Sequence, residues 1–462
     1  MAEGYDVAVV GGGPAGLASA VTAARAGCRV ALLDSAPQLG GQFWRHHDDT
    51  GRGHRDWSVF AGLRAELLDL DVDYRAGAAV WFVERTATGF RLQVTGEPPV
   101  AARRIVFATG AHDRPLPFPG WDLPGVVTPG AAQALLKGSG VAIGSRMVIA
   151  GAGPFLLPVA VGLLDSGVRI AGVYEAGDPL RYLRRPGAIA VSKLTEAAGY
   201  AAALARHRVP YRTRHAVVAA WGSTSVSSVD VVRLDRRGRP VPGSRRSVEC
   251  DAVAVGYGFT PQLELPLALG CETRLDVDGN LVLEVDVAGR TTVPGVYAAG
   301  EVTGVGGASL ALTEGQLIGT VVALAAGRRS PYPDLELTQL LARRAGERRF
   351  ARLMHEVHAP PAGWTSWLDA DTLVCRCEEV PLAKIRSAVT ELGATDTRTV
   401  KGLCRPGMGW CQGRICGYAT AALTSQLCGR ELTATDLEVF ARRPFAQPVT
   451  LAAVAGADRA GP

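Results

Sequence analysis

A chain of 462 residues is too long for one ordinary hydrophobic core, and its length suggests about three domains. It is 47% hydrophobic with 56 glycines, few aromatic residues and a net charge of +5. That balance suits a soluble α/β protein and is too mild for a nucleic-acid-binding surface.

The N-terminus, MAEGYD, carries acids where a signal peptide carries a basic region, so a cytoplasmic setting is expected. Nine cysteines, an odd number, agree with a reducing compartment, where clustered thiols favour metal over disulfides. YDVAVV (5–10) reads as an apolar strand running into GGGPAG, followed by a small-residue helix and a second strand, RVALLD, that ends at Asp34. In Gly11-x-Gly13-x-x-Gly16, the first glycine permits a tight turn and the second lets the backbone approach a pyrophosphate. The third lets helix pack on strand. Unpaired N–H groups at the helix start favour phosphate, and Asp34 is placed to hold a ribose hydroxyl pair. Pro14, Ala15 and Ser35 belong to the same expected nucleotide site. The motif itself leaves FAD and NAD open.

RRIVFATG (103–110) reads as a strand returning to the first sheet. A second strand–turn–helix–strand follows at 146–175, about 140 residues after the first, which is too far for a solenoid repeat. Its uncharged run Met147–Leu164 has 18 residues, near the length of a membrane span. Gly151, Gly153, Pro154 and Pro158 interrupt it, so it reads as strand, turn and helix, and no transmembrane segment is expected. Leu156 replaces the third glycine, Pro158 removes an early helix N–H, and Glu175 ends the next strand. This is a degraded site: either a domain without ligand, or one holding an adenine nucleotide or NAD loosely. Glu175 opposes a 2′-phosphate, although Arg181, Arg184 and Arg185 lie close in sequence.

CDAVAVGYGFTP (250–261) returns to the second sheet, and residues 291–327 supply strand, Gly-rich turn and long helix for the first. The expected division is a nucleotide domain from 1–118 and 286–330, a second from 119–285 and a linker helix at 331–370. A cysteine domain at 371–430 and a docking tail at 431–462 follow. In the linker, Phe350, Leu353, Met354 and Val357 share one helical face. The tail, with RRPFAQP, reads as too rich in Pro and Ala to have much of its own to bury.

Cys375-x-Cys377 is followed, after a gap of 33 residues, by Cys411-x4-Cys416. Thiolates suit zinc, copper(I) and iron–sulfur clusters. Structural zinc sites usually use Cys-x2–4-Cys pairs, and the tighter Cys-x-Cys fits a [2Fe–2S] unit better, although zinc or no metal stays open. Cys28, Cys250, Cys271 and Cys428 read as small core residues. No Cys-x-x-Cys occurs, which removes a redox dithiol, and the eight histidines show no ligand spacing. His46-His47, close after Gly40-Gly41-Gln42, reads either as part of a solvated loop or, if the nucleotide is FAD, as a neighbour of its ring.

GGQFWR (40–45), ATG (108–110) and GVYAAGEVTG (295–304) resemble segments of the flavoproteins built from two dinucleotide-binding domains. The resemblance implies FAD in the first domain, with Gly41, Gln42, Arg45, Thr109, Gly110, Gly300 and Glu301 at its site. Glu301 stands where the family more often has Asp bonding the ribityl chain. CRCEEV and KGLCRPGMGWCQGRICG resemble bacterioferritin-associated ferredoxin, and more closely that domain as fused to the FAD subunits of bacterial amine dehydrogenases. The FAD subunits of opine oxidase and hydrogen cyanide synthase belong to that group, as do the α subunits of proline and hydroxyproline dehydrogenases. Residues 110–137 and 299–319 match the same proteins. The resemblance implies an α/β fold of two Rossmann-like domains plus a small helical [2Fe–2S] domain, with Cys375, Cys377, Cys411 and Cys416 as ligands. Cys404 departs from the expected threonine and puts a fifth thiol nearby.

The implied function is an electron-transfer subunit of a heteromeric dehydrogenase or oxidase acting on an amino acid or secondary amine. The implied partner is an amino-acid-oxidase-like flavoprotein β subunit. There is room for a small third polypeptide, and for a peripheral place at the inner membrane through partners. No substrate acid/base set is evident in this chain, so no catalytic residue is assigned. The rival readings are a self-contained NAD(P)H-dependent reductase and a non-enzymatic docking module.

Overall fold

The computed structural model describes residues 4–459 apart from Asp49, Arg52 and Gly53. Val7–Val10 is the middle strand of a five-stranded parallel sheet. Val30–Leu33 and then Asp73–Arg75 lie on one side, Ile105–Phe107 and then Val296–Ala298 on the other. VAVV and VALL are buried at every position, as a parallel sheet covered on both faces requires. An antiparallel meander, Val80–Thr86, Gly89–Val94 and Val100–Ala102, fills the crossover to Ile105. The plan then repeats. Tyr211–Thr213, Arg169–Glu175, Arg146–Gly151, Ala252–Gly256 and Val126–Val127 form a second parallel sheet. Its own meander is His215–Trp221, Ser228–Arg233 and Arg246–Glu249. Ala111–Asp113 pairs antiparallel with Phe259–Pro261 where the chain passes between the two sheets and back.

The run Met147–Leu164 is divided between the strand ending at Gly151 and the helix Leu156–Asp165. Among the described residues one helix, Ala308–Ala325, is long and apolar enough to cross a membrane by length and composition, and 61% of that window is buried. It lies on helix Pro14–Arg25. Small residues set the approach: a Cβ on Gly315 or Gly319 would come 2.4 Å from the Ala15 carbonyl oxygen or 2.6 Å from that of Ser19.

The helix Asp334–Val357 buries Leu353 and Val357, with Phe350 and Met354 half-buried. Leu340, Ala351 and His355 are also buried, so its covered face is broader than the expected stripe. The cysteine region consists of a hairpin, Leu373–Cys375 with Val380–Pro381, and the helices Leu382–Thr390, Thr397–Cys404 and Gly417–Leu427. It shares a core with the second meander through Trp121, Trp364, Trp367, Cys375 and Cys416, and the Trp121 indole donates to the Leu373 carbonyl at 2.6 Å.

The tail corrects an expectation. Ala434–Ala441 is a helix with a full Thr433/Asp436 capping box, and it buries Leu437 and Phe440. Phe445 then meets Trp81 edge-on at 5.3 Å. Thr433, placed three residues before Asp436, was the sequence signal for this helix.

Candidate functional site

The first glycine turn is rigid where the protein needs it and open where a ligand would sit. Gly11 has φ +107°, and a Cβ there would lie 2.3 Å from the Ala108 carbonyl oxygen. A Cβ on Gly16 would lie 1.7 Å from the Gly11 oxygen. Gly13 differs: it precedes the helix Pro14–Arg25 with an ordinary φ of −76°, and its Cβ would meet nothing closer than the Gly41 Cα at 3.8 Å. Gly13 therefore leaves a hollow in front of the helix N-terminus that internal packing does not require, which fits a phosphate group. Asp34 closes the turn from behind. Its two carboxylate oxygens accept from Gly12 N at 2.7 Å and Ala36 N at 2.8 Å, and burial, offset in part by these bonds, raises its pKa. Ala15 is buried, whereas Ser35 and Gln42 are exposed. Thr109 Oγ1 donates to the Gln262 carbonyl at 2.7 Å, and Gly110 takes φ +72°.

Two buried atoms around this hollow lack partners. Glu301 Oε1 accepts from Gly307 N at 3.0 Å, while Glu301 Oε2 is buried without a hydrogen bond. Burial raises the carboxyl pKa against the pull of the Gly307 bond. Arg45 Nε is buried and unpaired as well. An unmatched buried acceptor and donor are costly unless another molecule completes them. An open glycine cradle with such atoms fits a flavin dinucleotide. Gly300 (φ +78°) lies against Ala15, and its N–H is held by Glu314 at 3.0 Å.

The second turn is built differently at the same place. Gly151 (φ +136°) is forced, since a Cβ would lie 1.6 Å from the Gly256 oxygen. Glu175 accepts from Gly153 N at 3.1 Å and Gly177 N at 2.7 Å, much as Asp34 does. The helix, however, begins only at Leu156. Leu156 N and Leu157 N are spent on the Gly153 and Pro154 carbonyls at 3.3 and 3.2 Å, and Pro154 and Pro158 have no N–H. His358 Nδ1 lies 3.2 Å from Glu175 Oε1 without hydrogen-bond alignment, and the Tyr182 ring is 5.6 Å from the His358 ring. Apart from the histidine that opens HAPPAGW, nothing in the chain's local patterning signals this cover.

All nine cysteines are free. Cys375 and Cys416 are buried, Cys411 is half-buried and Cys377 exposed. The four meet as two contacting pairs. A bond from Cys416 holds the Cys375 thiol down, to about 6, against the effect of burial, and the same contact drives Cys416 up. Cys377 is raised by burial and by its Cys411 neighbour, although a backbone bond from Cys411 opposes this. Gly407 N donates to Cys375 Sγ at 3.5 Å, and a Cβ on Gly409 would lie 2.4 Å from the Cys377 Cβ. Among the described residues, no three His, Cys, Asp or Glu side chains are arranged to hold a single ion. An all-thiolate set in two pairs, with the Gly407 N–H on one sulfur, fits a two-iron cluster. Cys404 is half-buried and donates to the Val400 carbonyl at 3.2 Å. Cys28, Cys250 and Cys271 are buried, while Cys428 is only half-buried.

A buried charge network between the two regions was not visible in the sequence. Arg114, 1% exposed, donates to the Tyr257 carbonyl, the Asp278 carbonyl and Asp278 Oδ2 at 2.9, 3.2 and 3.1 Å. His355 Nδ1 lies 3.3 Å from that carboxylate, and His355 Nε2 is 2.6 Å from the Val305 carbonyl. The Tyr418 ring, two residues past Cys416, covers Arg114 at 4.7 Å.

Residues 5–327 match the family described as pyridine nucleotide-disulphide oxidoreductase, and the chain belongs to it. It is an oxidoreductase of the FAD-binding type. Within that class its relatives are particular. The chain is 33% identical to the A subunit of opine oxidase from Agrobacterium tumefaciens (strain Ach5), over 98% of its own length and 92% of that protein. It is 32% identical to hydrogen cyanide synthase subunit HcnB of Pseudomonas protegens, over 92% of each chain. The structure of L-proline dehydrogenase from P. horikoshii shares its fold, with a TM-score of 0.73 at 22% identity over 98% of this chain and 79% of that one.

Proposed function

We propose that this chain is the FAD- and [2Fe–2S]-containing electron-transfer subunit of a heteromeric, cytoplasmic dehydrogenase or oxidase. Its substrate class is an amino acid or secondary amine: proline, hydroxyproline, an opine, sarcosine or glycine. When bound, FAD exchanges electrons in pairs and a [2Fe–2S] cluster passes them singly. Gly11, Gly13, Pro14, Ala15 and Gly16 would receive the pyrophosphate, with Asp34 and Ser35 at the ribose. Gly41, Gln42, Arg45, Thr109, Gly110, Gly300 and Glu301 would surround the rest. Residues 1–118 with 286–330 are assigned to the FAD domain, 119–285 to the second nucleotide domain and 371–430 to the cluster. Cys375, Cys377, Cys411 and Cys416 would ligate it.

The observation that carries this reading is the presence in one chain of an open cradle with an unpaired Glu301 Oε2 and two contacting pairs of thiols. The relatives' names as subunits support a partner, which we take to be an amino-acid-oxidase-like flavoprotein that oxidises the amine, with room for a small third polypeptide. The spent N–H groups at Leu156 and Leu157 weigh against a self-contained NAD(P)H reductase. Gly151, Gly153 and Glu175 would hold an adenine nucleotide or NAD weakly, if at all. The test is anaerobic absorption spectroscopy of the chain alone and co-expressed with its partner, adding amine and then NADH, after iron and flavin have been assayed. Amine should bleach both chromophores only in the complex. Rapid stoichiometric bleaching of the isolated chain by NADH would promote the reductase reading.

A further inference from the structure

The tail returns a buried cation to the thiol loop. Arg443 has a side chain only 9% exposed. Its Nε donates to the Phe440 carbonyl at 2.8 Å and its Nη2 to the Gln412 carbonyl, next to Cys411. Arg443 Nη1 is buried with no hydrogen-bond partner. Burial lowers the arginine's pKa, while Glu264 and the Cys411 sulfur pull it back up.

The local charge does not balance. Glu264, 8% exposed, faces two guanidinium groups, Arg414 Nη2 at 2.8 Å and Arg443 Nη2 at 3.7 Å from the same oxygen. A third cation, Lys401, sits over the Phe440 ring at 5.3 Å. On the exposed rim Arg405 and Glu378 pair at 3.1 Å and cancel each other. An excess positive charge is therefore buried beside Cys411. Burying an uncompensated cation is costly, so a fold that does so implies an anion in reach. Two ferric irons, two sulfides and four thiolates sum to a net negative charge, and reduction adds one more electron to it. A neighbouring fixed cation favours the more negative, reduced state, because net charge is one of the terms that set a cluster's potential.

We infer that Arg443, with Arg414 held beside it by Glu264, is a positioning residue that raises the reduction potential of a cluster on Cys375, Cys377, Cys411 and Cys416. This rests on the reading under Proposed function, and it gives the segment after residue 431 a role inside its own chain. A purely mechanical role is the competing explanation, since Arg443 also ties two carbonyls together.

The test is a dye-mediated anaerobic redox titration of the whole chain, read by electron paramagnetic resonance and accompanied by iron and sulfide assays. Arg443→Met keeps the bulk and removes the charge. It should retain iron and lower the one-electron equilibrium constant for reduction about tenfold, a shift of about −59 mV. Glu264→Gln removes the opposing charge and should move the potential upward, and Arg443→Lys should stay within a few-fold of wild type. If Arg443→Met loses its cluster, the other two variants decide: an unchanged potential in Glu264→Gln overturns the inference. So does Arg443→Met with full iron and a wild-type potential. Absence of iron from the anaerobically prepared wild type would instead overturn the cluster assignment, so the two failures are distinguishable.

Discussion

Gly13 separates ligand binding from folding. Its φ of −76° is open to any residue, and the nearest atom to an added Cβ is 3.8 Å away. Gly13→Ala should therefore change the stability of the flavin-free protein by less than about 1 kcal/mol, the scale of Gly-to-Ala effects at a compatible site. The same Cβ projects into the hollow before the helix N-terminus. A phosphate displaced from there loses charge-assisted hydrogen bonds and part of the helix-end attraction, together about 3 kcal/mol. That is about a 100-fold weaker flavin affinity, and Gly13→Val should lose the flavin outright. Gly16→Ala is the contrasting control, because its Cβ would fall 1.7 Å from the Gly11 oxygen and the fold itself must yield. The assay is flavin absorbance per protein after gel filtration, with thermal melts of flavin-stripped samples so that ligand stabilisation does not enter the comparison. A full complement of flavin in Gly13→Val would show that this turn is not the flavin site.

The thiols should behave unequally: Cys411→Ser should lose most cluster iron while keeping FAD, and Cys404→Ser, outside the two contacting pairs, should keep both. Zinc in place of iron in the anaerobic wild type would defeat that expectation. Asp278→Ala leaves Arg114 buried without its partner and should cost about 3–5 kcal/mol by denaturant titration; a loss under about 1 kcal/mol would mean that the site rearranges. Burial pulls His355 down, but its bond to Asp278, the charge of that carboxylate and the Val305 carbonyl together outweigh this and raise its pKa, so its contribution is complete below pH about 6.5 and lost as pH rises through the folded value. Asp278 is raised by burial but lowered further by Arg114 and His355, so its contribution is lost only as pH falls below about 4. The His355–Asp278 pair's share of stability should thus be greater at pH about 6 than at pH about 8.5, read as the difference between wild type and His355→Gln at the two pH values.

The two glycine turns show how far the sequence could be read. Spacing located both turns, both closing acids and both parallel sheets, because strand, turn and helix are local and Gly11, Gly16 and Gly151 each answer to a local clash. It also flagged the second turn as altered at Leu156 and Pro158. The sequence does not show that the helix start slips to Leu156, so that its first N–H groups are spent on Gly153 and Pro154. Nor does it show that Glu175, the counterpart of Asp34, lies beside His358, which follows the end of a helix more than 180 residues away.

Charges were legible only where a motif named them. Arg114 and Asp278 are 164 residues apart, and Arg443 and Glu264 are brought together from opposite sides of the cysteine region. No periodicity marks such residues, since each looks like an ordinary surface charge until the fold buries it. The tail misled for the same reason. It is rich in alanine and proline, yet it needs few large side chains to dock, because Phe440 fits where Gly407, Gly413 and Gly417 leave room and a Cβ on any of them would meet the ring within 3.0 Å. The glycines that make CRPGMGWCQGRICG resemble a cluster loop therefore have a second duty, as the socket for a helix that begins after the loop has ended. Replacing one of them would disturb the thiols and the tail together, so the defect has to be assigned by whether iron or Arg443 is displaced first.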